Sequence, residues 1–470
     1  MATLAEQLAE FAAGVRYELL PDEVVRTLKA RCLDTLGVSL AARGVDAALA
    51  VGDVVRRWGG PAEATSLMTG DPLPSSHAAL INGTLAHALD FDDTHLPSVV
   101  HPSATLVPTA LAEAQAARAD GREFLAALAA GYETSVRLSM AQFDTDLGNS
   151  VFFEHGLHAT ASIGAIASAV VAAKLRGLGP EGITNAMAIS CSMAAGLAEA
   201  NRTGGTVKRA HCGWAAHCAV SAAMLAEAGL TGPATCLEGR FGFFQAFCGE
   251  RWHPEEVIAG LGTRWLAPSI AFKPYPCNHF THAVADAALA LRAGGLTPEQ
   301  VGTVTIGTAE ASWRTIGDPI AEKRRPQTPY HAKFSAPFVF AAALVGGGGL
   351  GLSHEDFAPE TLREPTRVAI AERCSVVVDA ECDSIFPYHF PAVVEVRTRD
   401  GQVHTQRVMT NLGTAERPLS EDDLAVKLES NVGGGGDQLR GEVGRIDASA
   451  SVDQVILTAA ATATARRAAA

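Results

Sequence analysis

Several features that would assign this chain to a common class of protein are missing or scarce. Charged residues make up 19% and aromatic residues 6% of the 470 residues. The formal net charge is −14, so the chain lacks the basic surplus of proteins that bind nucleic acid or anionic membranes. Its 9 cysteines include no Cys-x-x-Cys pair, so no iron–sulfur cluster or structural zinc is indicated. Scattered thiols of odd number suit a reducing compartment.

Targeting and membrane-spanning patterns are also missing. The opening MATLAEQLAEFAAGV has neither the basic start nor the long apolar core of a signal peptide, and it predicts an amphipathic helix. The longest run of small apolar residues, 159–173, is too short to span a bilayer. We therefore predict a cytoplasmic protein that acts without membrane or nucleic acid.

What is present is a large apolar fraction, 48%, and two kinds of sequence pattern. Up to about residue 261, apolar residues recur at three and four positions and the segments stop at Gly or Pro, which predicts successive helices. After WLAPSIAFKPYPC, helices alternate with β-branched runs such as VGTVTIGT and CSVVVDAE, and Asp400-Gly401 predicts a hairpin turn. The segment PLSEDDLAVKLESN then returns to helix, with Ser420 and Asp423 spaced as a helix cap.

Three aspartates and three histidines occur within the nineteen residues of HALDFDDTHLPSVVHPSAT. If the helix before it continues to Thr94, then His87, Asp90 and Thr94 share one helical face. The two prolines would end that helix and place His101 on an irregular segment, where functional residues often occur.

A magnesium site is one interpretation of this stretch, since FDDT is partly similar to the aspartate-rich motif of all-helical terpenoid synthases. The third acid of that motif would fall at Leu96, and no second magnesium motif follows. The other interpretation is that Asp92, Asp93 and His95 cap, solvate or brace the turn while the histidines pack.

Three further segments carry candidate residues. EHGLHATASIG places His158 just before a helix of small residues, where it could be functional or a satisfied helix-start histidine. NRTGGTVKRAHCG places Lys208 at a helix start, which suits a carboxylate, whereas the Walker pattern for phosphate is absent. KPYPCNHFTH sets Lys273, His279 and His282 around another helix start, at the change of pattern, where a cleft or only a rigid connector could form.

Together these segments and FPAVVEVRTRDG resemble, in order and over almost the whole chain, the MmgE/PrpD family of 2-methylcitrate dehydratases, cis-aconitate decarboxylases and iminodisuccinate epimerases. The resemblance implies a mainly α fold in which a large all-helical domain, 1–265 and 410–470, is built from both chain ends. A smaller α+β lid domain, 266–409, is inserted between them. It also implies a homodimer and no metal or organic cofactor.

Matching positions in the decarboxylase branch imply an active-site set of Asp90, Thr94, His101, His158, Lys208 and His282. This chain departs from the family at two positions. His279 stands where many members have arginine, which would alter recognition of a distal carboxylate. Phe338 stands where members often have tyrosine, so proton donation from that hydroxyl is lost.

The shared chemistry moves a proton at carbon next to a carboxylate, so it needs cations for the carboxylates and positioned acids and bases. We assign Lys208 to carboxylate binding and charge stabilisation, and His101 and His158 to proton transfer. Asp90 would orient a histidine, and Thr94 would position substrate by hydrogen bonding. Lys273, His279 and His282 complete the predicted substrate-binding set.

The predicted function is a cofactor-independent lyase or isomerase acting on a small di- or tricarboxylate. A hydro-lyase similar to 2-methylcitrate dehydratase is the first expectation, and a decarboxylase or an epimerase is the alternative. Two hypotheses of other classes stay open on sequence alone: a helical binding or scaffold protein without catalysis, and a metal-dependent enzyme.

Overall fold

The computed structural model describes residues 2–200 and 205–467, with the backbone alone for 463–467. The predicted mainly α fold is confirmed. The chain divides into two compact units, one formed by Met1–Ile270 with Asn431–Ala470 and the other by Ala271–Ser430. Within the described ranges, no helix combines the length and apolar character needed to span a lipid bilayer.

The first unit is built from helices joined by short loops and two small hairpins. Its helices are α1 Leu4–Gly14, α2 Asp22–Ala41, α3 Asp46–Trp58, α4 Ser75–His87, α5 Ser103–Ala117, α6 Gly121–Ala141, α7 Val151–Glu154, α8 Ala159–Leu175, α9 Pro180–Met193, α10 Val207–Glu227, α11 Phe243–Cys248 and α12 Pro254–Ile258. The hairpins pair β1 Ala64–Thr65 with β2 Pro72–Leu73 and β3 Phe143–Asp144 with β4 Asn149–Ser150.

Helix α8 lies at the centre of this unit and is buried on every side. Its sequence, ATASIGAIASAVVAAKL, has small residues at most positions, so neighbouring helices can approach from all directions. A Cβ added at Gly164 would lie 2.7 Å from Cγ2 of Thr105 on α5, which shows how closely these two helices pack. The small-residue composition noted in the sequence therefore produces the close packing of this core.

Helices α4 and α10 approach each other closely through two glycines that face each other. A Cβ added at Gly83 would lie 2.9 Å from the Cα of Gly213, and one added at Gly213 would overlap the Leu80 carbonyl oxygen and Thr84 Oγ1. Real Cβ atoms do not approach a backbone so closely, so any side chain here must push the helices apart. Because α4 ends at His87 and α10 begins at Val207, this contact sets the distance between two groups of candidate residues.

We expect Gly213→Ala to destabilise the protein by about 1–3 kcal/mol, the usual range for overpacking a tight core. Activity should fall as well, because the added methyl group moves the ends of α4 and α10 that carry candidate residues. Urea denaturation and a turnover assay measure the two effects. Gly14→Ala is the matched control, since a Cβ at that helical glycine meets nothing within 4 Å. Equal stability of the two variants would show that the helices separate without cost.

The end of the described chain returns to the first unit. Helices α21 Gly436–Gly444 and α22 Asp453–Arg467 belong to it. Asp447, between them, accepts hydrogen bonds from Tyr17 Oη at 2.6 Å and Lys29 Nζ at 2.7 Å. Asp453 accepts one from Gln115 Nε2 at 2.8 Å. These bonds connect the last 40 or so residues to elements formed by the first 120.

The second unit combines a four-stranded sheet with helices. Its strands are β5 Val301–Thr308, β6 Cys374–Val378, β7 Ala392–Thr398 and β8 Val403–Val408, in the order β6-β5-β7-β8. Strands β5 and β6 run parallel, and the other neighbours are antiparallel. Its helices are α13 His282–Ala293, α14 Glu310–Ile316, α15 Ile320–Arg324, α16 Pro329–Ala332, α17 Ala336–Val345, α18 Pro365–Ala371 and α19 Ala380–Ile385, and α20 Glu421–Val432 crosses the division between units.

Several sequence-based predictions for this unit are confirmed. The β-branched runs form β5 and β6, the apolar segment around Phe338 forms α17, and the turn at Asp400-Gly401 joins β7 to β8. Ser420 accepts a hydrogen bond from the Asp423 backbone N–H at 3.1 Å, as the predicted cap requires. The core of the unit forms where the sheet packs against α13 and α17.

Candidate functional site

The polar stretch after α4 is a loop. The prediction that His87, Asp90 and Thr94 share one face of a continued helix is therefore wrong. Helix α4 ends at His87, and Asp90 has a φ of 56°, in the left-handed region. The helix therefore never reaches Thr94, so His87, Asp90 and Thr94 are not related by helical spacing. Asp is among the few non-glycine residues that tolerate this conformation, because its short side chain can bond locally.

His87, at the end of α4, pairs with an acid that the sequence had placed in the bracing set. Its Nδ1 lies 2.7 Å from Asp92 Oδ2, and both side chains are buried. A carboxylate accepts hydrogen bonds only, so His87 carries its proton on Nδ1 and its ring orientation is fixed. Asp92 thus orients a histidine, which is the role that the sequence analysis gave to Asp90.

His101 is held by a backbone carbonyl. Its Nδ1 donates to the Asp93 carbonyl oxygen at 2.6 Å and lies 3.2 Å from Thr94 Oγ1. Its backbone N–H donates to Thr160 Oγ1 at 3.2 Å, which connects the loop to α8. Because a carbonyl can only accept, the neutral imidazole bears hydrogen on Nδ1 and the lone pair lies on Nε2.

A buried polar network centred on Asp93 holds this loop in place. Arg31 Nη1 lies 2.9 Å from Asp93 Oδ2, and each side chain is 1% exposed. Asp93 also accepts the Ser103 backbone N–H at 3.1 Å and the Ser103 hydroxyl, which in turn contacts Tyr132 Oη. Burial raises the pKa of Asp93, whereas the Arg31 charge and the Ser103 hydrogen bonds act in the opposite direction. The network fixes the backbone that holds His101.

Four histidine rings form a continuous row in the first unit. The ring centroids of His87 and His101 are 5.5 Å apart, and those of His87 and His158 are 5.4 Å apart. His211, on the first turns of α10, lies 5.1 Å from His158 by ring centroids, and the two Nδ1 atoms are 3.1 Å apart. The row therefore brings together the two predicted proton-transfer residues, His101 and His158, with His87 between them.

Lys208 adds a positive charge to this row. Its side chain is buried, one turn before His211 on α10. Burial lowers the pKa of His158 well below its ordinary value, and the neighbouring charges of His87, Lys208, His211 and His101 lower it further. Burial, His87 and Lys208 lower the pKa of His211 to about 4. Near neutral pH the site thus contains an ammonium group beside two neutral imidazoles.

The remaining predicted residues lie in the second unit and are also buried. Lys273 is fully buried, and the rings of His279 and His282 are 4.5 Å apart by centroids. His279 Nε2 lies 3.1 Å from Asn411 Nδ2, and His282 Nε2 lies 3.2 Å from the Cys277 carbonyl oxygen. Phe338 packs in the core of this unit, with its ring centroid 6.0 Å from that of Phe357.

The aspartates of FDDT do not converge. Asp92 is directed to His87 and Asp93 to Arg31, so the two carboxylates have different partners. Across the described ranges 2–200 and 205–467, no group of three or more His, Cys, Asp or Glu side chains is arranged to hold a metal ion.

Comparison with known proteins identifies the family. The MmgE/PrpD N-terminal domain matches residues 6–255, and the MmgE/PrpD C-terminal domain matches residues 275–449. The chain belongs to the MmgE/PrpD family. Among curated relatives, cis-aconitate decarboxylase of Homo sapiens is 29% identical over 92% of this chain and 88% of its own length. The enzymes of Mus musculus, at 28% over 92% and 87%, and of Aspergillus terreus, at 24% over 93% and 91%, bear the same name.

Family membership makes the protein an enzyme, a lyase of the MmgE/PrpD family. The comparisons thus favour the catalytic interpretation over a scaffold. Four residues of this MmgE/PrpD site were not predicted as functional from the sequence: His87, Asp92, His211 and Arg31. The two histidines could have been found, since His87 opens the polar stretch and His211 follows Lys208 by three positions on one helix. No local pattern connects Arg31 to Asp93.

The buried histidines of this MmgE/PrpD enzyme also predict a pH-dependent stability. Burial lowers the pKa of His95 to about 4, below the ordinary 6.5 of the unfolded chain, so unfolding takes up a proton. The stability contributed by the neutral, buried His95 is complete above pH 6.5 and is lost as the pH falls towards 4. We expect His95→Phe to remove about 1–2 kcal/mol of the stability loss between pH 7 and pH 5, measured by urea denaturation.

The matched control is His155→Gln, which replaces an exposed histidine and so measures any effect of losing an imidazole that does not depend on burial. An unaltered pH dependence in His95→Phe would mean that His95 titrates equally in folded and unfolded chains.

Proposed function

We propose that this enzyme decarboxylates a small unsaturated tricarboxylate such as cis-aconitate. The observation that carries the proposal is the buried Lys208 ammonium beside the neutral imidazoles of His158 and His211. Relatives aligned over 92–93% of the chain are cis-aconitate decarboxylases, which supports this chemistry within the family.

Decarboxylation leaves an electron pair on carbon, conjugated with a remaining carboxylate. A buried cation stabilises that developing charge more strongly than it would in water, so we assign this role to Lys208. The carbon must then take up a proton, for which His158 and His101 are the proposed donors and acceptors. These steps use an ammonium group and imidazoles alone, so we also propose that the reaction needs no metal or organic cofactor.

Other residues are proposed to bind and orient the substrate. Thr94 would position it by a hydrogen bond from a hydroxyl that lies beside His101. Asp90, which has a left-handed backbone conformation, would orient a histidine of the site. For the second unit, Lys273, His279 and His282 remain predicted substrate-binding residues, and all three are buried.

Dehydration of a hydroxy acid such as 2-methylcitrate is the second candidate. It is favoured by Phe338, which is buried in an apolar core and has no hydroxyl at a position where the family resemblance implies a tyrosine. If decarboxylation in the family uses that hydroxyl as a proton donor, this chain must perform it differently or catalyse another step. His279, which stands where many members have arginine, would likewise select a different acid.

The test is a screen of cis-aconitate, 2-methylcitrate, citrate and iminodisuccinate-type acids, followed by proton NMR in deuterium oxide. Release of carbon dioxide from cis-aconitate supports the proposal, and loss of water from a hydroxy acid would select dehydration. Exchange of a C–H proton without net reaction would select epimerisation. Turnover should persist after exhaustive chelation. A loss of turnover on chelation would contradict the proposal that the reaction needs no metal. Light scattering should give twice the 48.8 kDa chain mass if the proposed homodimer forms.

A further inference from the structure

We propose that His211 is the proton-transfer residue that connects the buried His158 with solvent. The inference depends on the proposed function only for the catalytic use of the proton, and it applies equally to decarboxylation, dehydration and epimerisation. Each of these reactions moves a proton at carbon, so the imidazole that exchanges it must be restored in every turnover.

The distance between the two rings defines what they can share. The two Nδ1 atoms are 3.1 Å apart, which is a hydrogen-bond distance between two nitrogens. One must be a donor and the other an acceptor, so a single proton lies between them. If both nitrogens carried hydrogen, the contact would be repulsive. The protonation of His158 at Nδ1 is therefore coupled to that of His211.

The two rings differ in their access to water. His158 is 4% exposed and lies at the start of the central helix α8, whereas His211 is partly exposed on the first turns of α10. Gly196 lies against both side chains, because a Cβ added there would lie 3.2 Å from the His158 Cβ and 3.5 Å from His211 Nδ1. Its carbonyl oxygen accepts the His158 backbone N–H at 3.0 Å. His101 is also partly exposed, but its ring lies beside His87. His211 is both partly exposed and within hydrogen-bond distance of His158, so it offers a direct route to solvent.

The charges around the pair keep both rings neutral. His158 faces His87 from α4, His101 from the following loop, and Lys208 and His211 from α10. His211 faces His87 and Lys208. A stable imidazolium in this environment would be repelled by Lys208, so a proton must pass through the pair without remaining on it.

The transfer conserves protons. His158 gives the proton on Nε2 to the substrate carbon and takes one at Nδ1 from His211 Nδ1. His211 takes one at Nε2 from water or a buffer acid. Each imidazole loses one proton and gains one, and the substrate carbon gains the proton that replaces the carboxylate lost as carbon dioxide. While substrate covers His158 Nε2, the proton from His211 prevents His158 from being left as an anion. After product release, water that enters the emptied site supplies His158 Nε2, and the reverse shift along the pair restores the starting tautomers.

The first experiment measures turnover against buffer concentration at constant pH and ionic strength. In His211→Ala we expect kcat to fall by about 100-fold, the lower range for general acid–base catalysis, and to recover as imidazole is added. His211→Asn retains a hydrogen-bonding group near Nδ1 but cannot relay a proton, so it should be as slow as His211→Ala. Wild type and His217→Ala, which removes an imidazole from the same helix, should not depend on buffer.

Two outcomes of this experiment would overturn the proposal: an unchanged kcat in His211→Ala, or a fall in the folded variant that imidazole does not relieve. The second would assign a packing role to His211.

A second experiment needs no substrate and so separates this inference from the proposed function. In protein labelled with 15N-histidine, NMR follows exchange with water of the proton on His158 Nδ1, the nitrogen that faces His211. His211→Phe fills the space of the ring without a relay, and we expect it to slow that exchange. Equal or faster exchange would overturn the proposal, even if no tested acid is turned over. Slowed exchange supports the proposal, and an inactive wild type would then refute only the proposed function.

Discussion

Replacement of Lys208 by Met is expected to lower kcat/KM by about 100- to 1000-fold, as does removal of one preorganised group that stabilises charge in a transition state. The ammonium is the buried cation beside His158 and His211, and Met fills similar space without charge. The same change should raise the pKa of both histidines, because the repulsion that disfavours their protonated forms is lost. Steady-state kinetics and NMR titration of the histidines measure these effects.

Lys174→Met is the matched control, because it makes the same substitution in the first unit. Lys174 lies near the end of α8 and donates to the Val15 carbonyl oxygen at 2.8 Å, whereas His158 stands at the other end of that helix. Turnover per folded molecule should be unchanged there. Lys208→Arg should recover only part of the activity, since a guanidinium has a different shape and hydration. If Lys208→Met retained full turnover, the proposed charge stabilisation would be wrong.

Replacement of Asp93 by Ala is expected to cost about 3–5 kcal/mol of stability, the range for removing one partner of a buried ion pair. Arg31 would remain buried without the carboxylate to which it donates at 2.9 Å, and Ser103 would lose two hydrogen bonds. Urea denaturation measures the loss. Activity should fall in addition, because the Asp93 carbonyl oxygen that orients His101 belongs to the same loop.

Two comparisons separate this effect from a general loss of a surface charge. Asp53→Ala breaks the exposed pair with Arg56 and should cost no more than about 1 kcal/mol. The double variant Arg31→Met with Asp93→Leu should recover most of the stability, since it removes both charges. A cost for Asp93→Ala no larger than that for Asp53→Ala would mean that the buried pair contributes little.

Much of the fold could be predicted from the sequence, because the local patterns are strong. β-Branched runs marked β5 and β6, and Gly and Pro marked many helix ends. The prediction failed after His87, where a continued helix was expected. Asp90 instead adopts a left-handed conformation, which no periodicity of apolar residues could reveal. Local propensity does not contain the hydrogen bonds that stabilise such a turn.

The candidate site was predicted only in part, for the same physical reason. His101, His158 and Lys208 could be selected by residue type and helix position. His158 and its partner His211 are 53 residues apart in the sequence. Asp93, which belongs to the loop that holds His101, is 62 residues from its partner Arg31. Such pairs depend on the packing of distant helices, so the sequence could not name His87 and Arg31 as the partners of Asp92 and Asp93.

The return of the chain to the first unit has a consequence during synthesis. Asp447 binds Tyr17 and Lys29, and Asp453 binds Gln115. The early residues of these pairs therefore cannot form the hydrogen bonds until the ribosome has added more than 300 further residues. At a usual elongation rate of about 5–20 residues per second, the delay is at least about 15 seconds. The apolar surfaces that α21 and α22 cover are exposed on the ribosome for that time. Nascent chains of this enzyme should therefore depend on chaperones until residue 453 has emerged.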